Sequence, residues 1–295
     1  MSLRIQGLAF STLAWLTLFA SLWLPPLDAQ TQLVLLAPVI LLLGVPHGAL
    51  DTVFVRQLMR VQSAAAWSLF ATAYLAAAAS VVVLWVLAPG IFLAAFLLIS
   101  AFHFSGDPEG ATPAWFRTLY GGAVIVCPLA LHAAEVFEIF ALLAGQPAAR
   151  AIVEALQWMA WPWLAAIGVA AIATAKRDLA RSIELVSITA VLSFTPPLIG
   201  FTLFFCAMHG ARHVLRVRDY SHAGTLRYLL RIAAGPMIVT AAAVAIAWWL
   251  SDGTPLDMRL AQLLFVGLAA LTVPHMIVVE RVRLTGWLMG RAIPK

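Results

Sequence analysis

The chain has 295 residues, of which 63% are hydrophobic and only 11% are charged, and its mean hydropathy is +0.97. A soluble domain carries about a quarter charged residues, so this composition excludes a soluble protein and predicts a polytopic membrane protein. The formal net charge is +5, but the basic residues stand at the ends of apolar runs rather than in one patch, which argues against nucleic-acid binding. We expect residues 1–295 to form a single integral membrane domain, because no polar stretch is long enough to fold alone.

Apolar runs of membrane-spanning length follow one another along the whole chain. A helix needs about 20 residues to cross the hydrocarbon core. The first run is too long for a signal peptide, so we expect a retained helix. Cys127 and Cys206 both lie within apolar runs, and no disulfide framework is expected. The sequence predicts an all-α transmembrane bundle of eight to ten spans, with candidates at 8–24, 32–55, 66–88, 90–105, 117–134, 152–175, 182–195, 198–215, 233–250 and 260–279.

Basic residues alternate between the loops of this arrangement. Loops on one side hold almost all the arginines and lysines, whereas the other side holds mainly acidic residues. Cytoplasmic loops carry an excess of Lys and Arg, so both termini are expected in the cytoplasm and the protein in the cell (inner) membrane. The residues on the predicted cytoplasmic side are Arg56, Arg60, Arg117, Lys176, Arg177, Arg181, Arg216, Arg218, Arg227, Arg231, Arg281, Arg283, Arg291 and Lys295.

Five histidines stand inside these apolar runs, where hydrocarbon surroundings make polar side chains functional candidates. They are His47, His103, His209, His213 and His275. Each lies toward the end of a span that runs from the outside to the cytoplasm, so the five imidazoles are expected at one depth. Two further histidines, His132 and His222, fall in or near loops and are expected to be bystanders.

The residue types in these runs predict a metal site. His209 and His213 have i, i+4 spacing and share one helical face, from which they can bind one ion. A neutral imidazole enters a low dielectric without the desolvation cost of an anion, and all-nitrogen ligation suits iron, copper, zinc or nickel. Asp51, four residues after His47, either orients a ligand or caps a helix break. Arg212 is expected to extend toward lipid phosphates.

Phenylalanines cluster beside two of the histidine motifs, at 102–104 and 201–205. Two interpretations of these aromatic runs remain open. The rings could line an apolar tunnel, or they could face the lipid.

At these motifs the sequence resembles the Brp/Blh family of membrane β-carotene dioxygenases. The resemblance lies in Pro-His-Gly-Ala-Leu-Asp at 46–51, Ala-Phe-His-Phe at 101–104, His-Gly-Ala-Arg-His at 209–213 and Pro-His at 274–275. Order, approximate spacing and total length agree, so it covers most of the chain.

The resemblance implies an enzyme that uses iron(II) and molecular oxygen to cleave the central double bond of β-carotene, giving two molecules of retinal. It assigns the iron ligands to His47, His103, His209 and His213. It also implies supporting, catalytic roles for His275 and Asp51. An apolar carotenoid would come from the bilayer lipid, and delivery of retinal to a rhodopsin is an expected use of the product.

Three other functions compete with this hypothesis. A histidine-lined metal or proton transporter would need a polar path through both leaflets, whereas the outer halves of the spans are nearly uncharged. A desaturase-like or hydroxylase-like membrane oxidase with two metals would need more histidines than the five placed here. A non-catalytic carotenoid-binding protein would have no need of a histidine cluster.

Overall fold

The computed structural model describes residues 2–58, 63–109, 112–220 and 225–282. Within these ranges the chain is helical and contains no strand, as predicted. Arg60, His222, Arg283, Arg291 and Lys295 fall outside them. The α-helices are α1 (Leu3–Trp23), α2 (Ala29–Val39), α3 (Pro46–Ala49), α4 (Asp51–Leu58), α5 (Ala64–Leu87), α6 (Pro89–Phe104), α7 (Ala114–Val126), α8 (Ala133–Ala144), α9 (Gln146–Ala175), α10 (Leu179–Phe194), α11 (Pro197–Leu203), α12 (Ala211–Tyr220), α13 (Leu226–Leu250) and α14 (Leu256–Val282).

Polar caps explain where several of these helices begin. The side chains of Ser2, Asp28, Ser63 and Asp178 each accept a hydrogen bond from a backbone N–H in the first turn of the helix that follows. A side-chain oxygen at this position satisfies one of the donors that a helix start leaves unpaired. The local sequence therefore determines where α1, α2, α5 and α10 begin.

The predicted spans all coincide with helices. Seven helices of the described chain are long and apolar enough to cross a membrane, and the number is up to eight if the bent pair Ala114–Ala130 and Ala133–Ala144 is one span. The count is therefore one below the predicted range of eight to ten, or at its lower end if the bent pair is one span. Helices α6 and α10 have 16 residues each. At 1.5 Å per residue each is about 24 Å long, which is shorter than a hydrocarbon core of about 30 Å.

Helix α8 occupies a stretch that we expected to be an acidic loop. It follows a 3-10 turn at Cys127–Ala130 and lies at 108° to the preceding helix. Its Val136, Ile139 and Leu143 are buried at i, i+3 and i+7 spacing, which gives the segment an apolar face. The acidic residues occupy the opposite side of the helix. A simple count of charges along the sequence therefore does not reveal this periodicity.

Two of the membrane helices are interrupted by π-helical segments that face each other. The first, Ile40–Gly44, lies between α2 and α3, and the second, Phe204–Gly210, lies between α11 and α12. A Cβ on Gly44 would collide with the ring of Phe205, so only glycine allows this approach. Such π segments re-aim the residues beside them and are frequent at functional sites. Here they bring the ends of two spans together.

Candidate metal centre

Five imidazoles converge where the two interrupted helices meet α6 and α14. His47 is on α3, His103 on α6, His209 at the end of the second π segment, His213 on α12 and His275 on α14, and all five are buried. The ring centroid of His209 lies 4.6 Å from that of His103 and 4.8 Å from that of His47. The ring of His275 lies 5.1 Å from those of His103 and His213. The structure therefore brings all five predicted histidines into one cluster.

Three of the rings are held through Nδ1. The Nδ1–H group of His47 donates to the carbonyl of Gly44, and that of His275 donates to Asp51 Oδ1 at 2.7 Å. The Nδ1–H group of His209 donates to the carboxylate of Asp107, at 3.0 and 3.1 Å from its two oxygens. A carboxylate or carbonyl on one ring nitrogen fixes the tautomer and leaves the other nitrogen free to bind a metal.

The nitrogens that remain fit a metal ion. The Nε2 atoms of His209, His213 and His275 are buried and have no hydrogen-bond partner among the residues that the structure describes. Buried polar atoms are almost always paired, so this set of nitrogens fits the coordination of a metal ion. Donor atoms of His47, His103 and His275 all lie within 4.8 Å of one another, as do those of Asp51, His213 and His275. His275, expected only to support the site, is common to both groups.

Asp51 serves a histidine far away in the sequence. It accepts hydrogen bonds from His275 and, at 3.2 Å, from the hydroxyl of Tyr74 on α5. It is also the first residue of α4, so it stands at a helix break as well. Its spacing from His47 places it near the cluster, but the ring that it orients is on α14.

Asp107 is a functional candidate that the sequence reasoning missed. It lies in the turn after α6 and is buried. Burial raises the pKa of its carboxyl, but His209 and the two nearby arginines outweigh that effect and hold the pKa below its usual value. A repeated spacing would have found it: Asp107 follows His103 by four residues, as Asp51 follows His47. Each carboxylate binds not the histidine that precedes it but one on another helix.

The expectation that Arg212 extends to lipid phosphates is wrong. Its side chain is fully buried, at 1% exposure, and forms two hydrogen bonds to the carboxylate of Glu184, at 2.6 and 2.8 Å. It also donates to Gln6 Oε1 at 3.0 Å and to the carbonyl of Asp107 at 3.1 Å. The carboxylate of Glu184, from α10, offsets the cost of burying the charge of Arg212. Nothing near Arg212 in the sequence indicates that this acid is its partner.

Two apolar cavities meet at the histidine cluster. The larger, of about 350 Å³, extends between α5, α13 and α14, and the smaller, of about 100 Å³, extends between α6, α8 and α11. Both are lined by His47, Phe205, Leu268 and Thr272. The cluster thus has hydrocarbon-lined space on two sides.

The two interpretations of the phenylalanine runs each hold for part of them. Phe104, Phe201 and Phe205 line the smaller cavity, and Phe205 also borders the larger one. Phe102 is 56% exposed and faces outward. Away from the cluster, His132 is partly exposed and hydrogen-bonds to Glu135, as expected for a bystander.

These features define a class: a polytopic helical membrane protein with a buried imidazole cluster between two apolar cavities. The family model described as β-carotene 15,15′-dioxygenase matches residues 38–282, a range that contains all five clustered histidines, and the chain belongs to this family. A curated relative, the β-carotene 15,15′-dioxygenase of uncultured marine bacterium 66A03, is 27% identical over 256 residues, which cover 82% of this chain and 90% of the relative. No solved structure matches significantly.

Membership of this family confirms the resemblance that the sequence motifs indicated. The protein is an enzyme of the oxygenase class, which sets aside the transporter and the non-catalytic binding protein. The buried histidines could hold a metal ion, and the helices give a multi-pass membrane protein.

Proposed function

We propose that this protein cleaves the central double bond of β-carotene with iron(II) and molecular oxygen, giving two molecules of retinal. The observation that carries the proposal is the position of the imidazole cluster at the junction of the two apolar cavities. A long polyene with one half in each cavity would have its middle beside the histidines. The family and the named relative support the same substrate.

His47, His103, His209 and His213 would hold the ion in this proposal. They supply neutral nitrogen donors, and Asp107 and the carbonyl of Gly44 orient two of the rings. His275 and Asp51 lie against this set and would support it from α14 and α4. Iron(II) held by these neutral imidazoles would supply the capacity to activate dioxygen.

The residues of the chain contribute position rather than acid–base chemistry. Apolar walls hold the polyene by burying its surface, at about 25 cal/mol per Å². They also exclude water from the reacting bond. Holding a substrate bond at a fixed place beside a reactive centre accounts for a large share of many enzymatic rate enhancements. The selection of one double bond would therefore follow from the shapes of the two cavities.

The setting of the enzyme is part of the proposal. We place residues 1–295 as one integral domain in the inner membrane, with both termini in the cytoplasm, on the basis of the loop charges. Carotenoid would then reach the site from the lipid. Retinal would leave into the same phase, where a rhodopsin could take it up.

The test is expression in cells that accumulate β-carotene, with retinal and carotene measured in the extracted pigment. The wild-type protein is expected to bleach the cells and produce retinal. His209→Ala removes a ring of the cluster and is expected to abolish both. The matched control, His132→Ala, changes a histidine outside the cluster and should behave as wild type. Unbleached cells containing folded wild-type protein would contradict the proposal.

A further inference from the structure

The larger cavity reaches the lipid-facing surface at one place. Its exposed lining residues are Ala71 and Leu75 on α5 and Val239 on α13. Leu75 is 59% exposed and Val239 is 57% exposed. By contrast, every residue that lines the smaller cavity is buried or half-buried. The larger cavity therefore has exposed lining residues on one side, between α5 and α13.

Of the seven candidate spans, the two that border this opening bury the smallest share of their residues. Among its described side chains α5 buries Val81 alone, and α13 buries Leu229 and Ala233 near its start. Helix α5 packs mainly on α14, and α5 hardly touches α13. Separating them exposes little buried surface, so movement at this seam has a low energetic cost.

Helix α13 also has a bending point at the level of the cavity. Pro236 lies inside the helix and lines the cavity. Proline leaves a backbone carbonyl without its helical partner and permits a bend. The preceding residue, Gly235, has open space where a Cβ would be, so its lack of a side chain is not required by packing. The Gly-Pro pair would therefore allow α13 to bend outward at this loosely packed seam.

One face of α5 is directed into this cavity. Its lining residues are Trp67, Phe70, Ala71, Tyr74, Leu75 and Ala78, which recur at helical spacing. The hydroxyl of Tyr74 binds Asp51, which in turn binds His275. The path from the lipid-facing seam to the imidazole cluster is thus continuous along one helix face.

We propose that the seam between α5 and α13 is a lateral portal through which a hydrocarbon polyene passes from the bilayer into the larger cavity, with Ala71 and Val239 setting its width. This inference rests on the proposed function for the nature of the substrate. The leading end of the polyene crosses the cluster into the smaller cavity, and the trailing half remains in the larger one. In this proposal the polyene does not enter through a surface of the protein that faces water.

The test narrows the portal without touching the cluster. Ala71→Trp and Val239→Trp each place a large side chain at the opening. Since access of the polyene is then obstructed, we expect kcat/KM for β-carotene in lipid vesicles to fall by about tenfold or more. Iron content and the electron paramagnetic resonance signal of the ferrous protein with nitric oxide should stay as in wild type, because a diatomic probe is small. The matched control is Ala76→Trp, at an exposed position of α5 that lines neither cavity.

A crosslink provides a second measurement in case a tryptophan variant fails to load iron. Leu75→Cys with Val239→Cys, joined by a bismaleimide after iron loading, should lose carotene cleavage and keep the nitric oxide signal. Each single cysteine variant, treated in the same way, is the control. Wild-type cleavage by the crosslinked protein and by the iron-loaded tryptophan variants would overturn the portal and leave the proposed function standing. Absence of retinal from iron-loaded wild-type protein would instead overturn the proposed function.

Discussion

Two carboxylates each orient one imidazole of this site. Asp51 holds His275, and Asp107 holds His209, in both cases through Nδ1. Asp51 lies on α4 and its histidine on α14, whereas Asp107 lies in the turn after α6 and its histidine in the second π segment, so each hydrogen bond connects two distant parts of the chain. Partners of this kind fix the orientation of metal-binding rings, and their loss typically weakens metal binding.

Replacing Asp107 with asparagine is predicted to weaken iron binding. The side chain keeps its shape, but the charge that makes His209 a better donor is lost. We expect the affinity to fall by about 10–100-fold, as for other partners of metal-binding histidines. Competition with a coloured chelator measures it. Asp28→Asn, which changes an exposed helix cap, is the control and should leave the affinity unchanged; equal affinities in all three proteins would contradict a role for Asp107.

Removing Arg212 is predicted to destabilise the protein. The buried pair with Glu184 would lose one partner, and an uncompensated buried charge typically costs about 3–5 kcal/mol. Arg212→Met should therefore lower the midpoint of thermal unfolding in detergent. Adding Glu184→Gln removes the orphaned charge and should recover part of the loss. A single variant as stable as wild type would show that the pair carries no net stabilisation.

At the residue scale the sequence predicted the histidines and Asp51, but it missed Asp107 and did not show which histidine each acid contacts. Imidazoles in apolar runs stand out because the hydrocarbon surroundings penalise polar groups. The partner of His275 is 224 residues away and that of His209 is 102 residues away, and no local pattern encodes such contacts. Arg212 was misassigned for the same reason, since its acid lies on another helix.

Between elements, the close contact of α6 with α7 holds the end of α6 that bears His103. A Cβ on Gly121 of α7 would collide with the carbonyl oxygen of Ala101 and come within 2.6 Å of the backbone nitrogen of Ser105. These are backbone atoms that cannot move aside. Glycine at this position therefore sets the distance between the two helices.

Gly121→Ala is predicted to separate α6 from α7 and displace His103. Overpacking of this kind typically costs about 1–3 kcal/mol, and we expect reduced iron occupancy as well. The control is Gly168→Ala on α9, where a Cβ meets nothing and helix propensity makes the change neutral or slightly stabilising. The two variants are compared by their midpoints of thermal unfolding and by their iron content. Matching iron content in both would show that this contact does not position His103.

Helices with long apolar sequences were predictable, and interruptions within them were not. Each predicted span coincides with a helix because an apolar run of this length has few alternatives in a membrane. The π segments at Ile40–Gly44 and Phe204–Gly210 meet at the contact between Gly44 and Phe205. Hydropathy does not report such a contact. Helix α8 was missed because its apolar face lies opposite acidic residues.

For the whole molecule, a bound ion would join four elements that come from distant parts of the sequence. The cluster draws on α3, α6, α14 and the segment formed by the second π-helix and α12. An ion that binds only the folded state stabilises it by a free energy that grows with the logarithm of the ratio of free ion to dissociation constant. Metal loading and global stability should therefore be coupled.

Chelation of the metal is predicted to lower the thermal unfolding midpoint of the whole bundle. At a free ion concentration of about 1,000 times the dissociation constant the lost stabilisation is about 4 kcal/mol. The shift should disappear in His213→Ala, which cannot complete the cluster. It should persist in His132→Ala. If chelation leaves the unfolding midpoint of the wild-type protein unchanged, an ion bound at the cluster does not stabilise the fold and the prediction is contradicted.

The most direct test of the central claim is the amount of retinal formed per β-carotene consumed by purified protein, measured across a series of iron occupancies. The account predicts two molecules of retinal for each carotene and a rate proportional to bound iron, approaching zero in chelated protein and restored by iron(II). Full activity in iron-free protein, or products of unequal length in place of retinal, would contradict it.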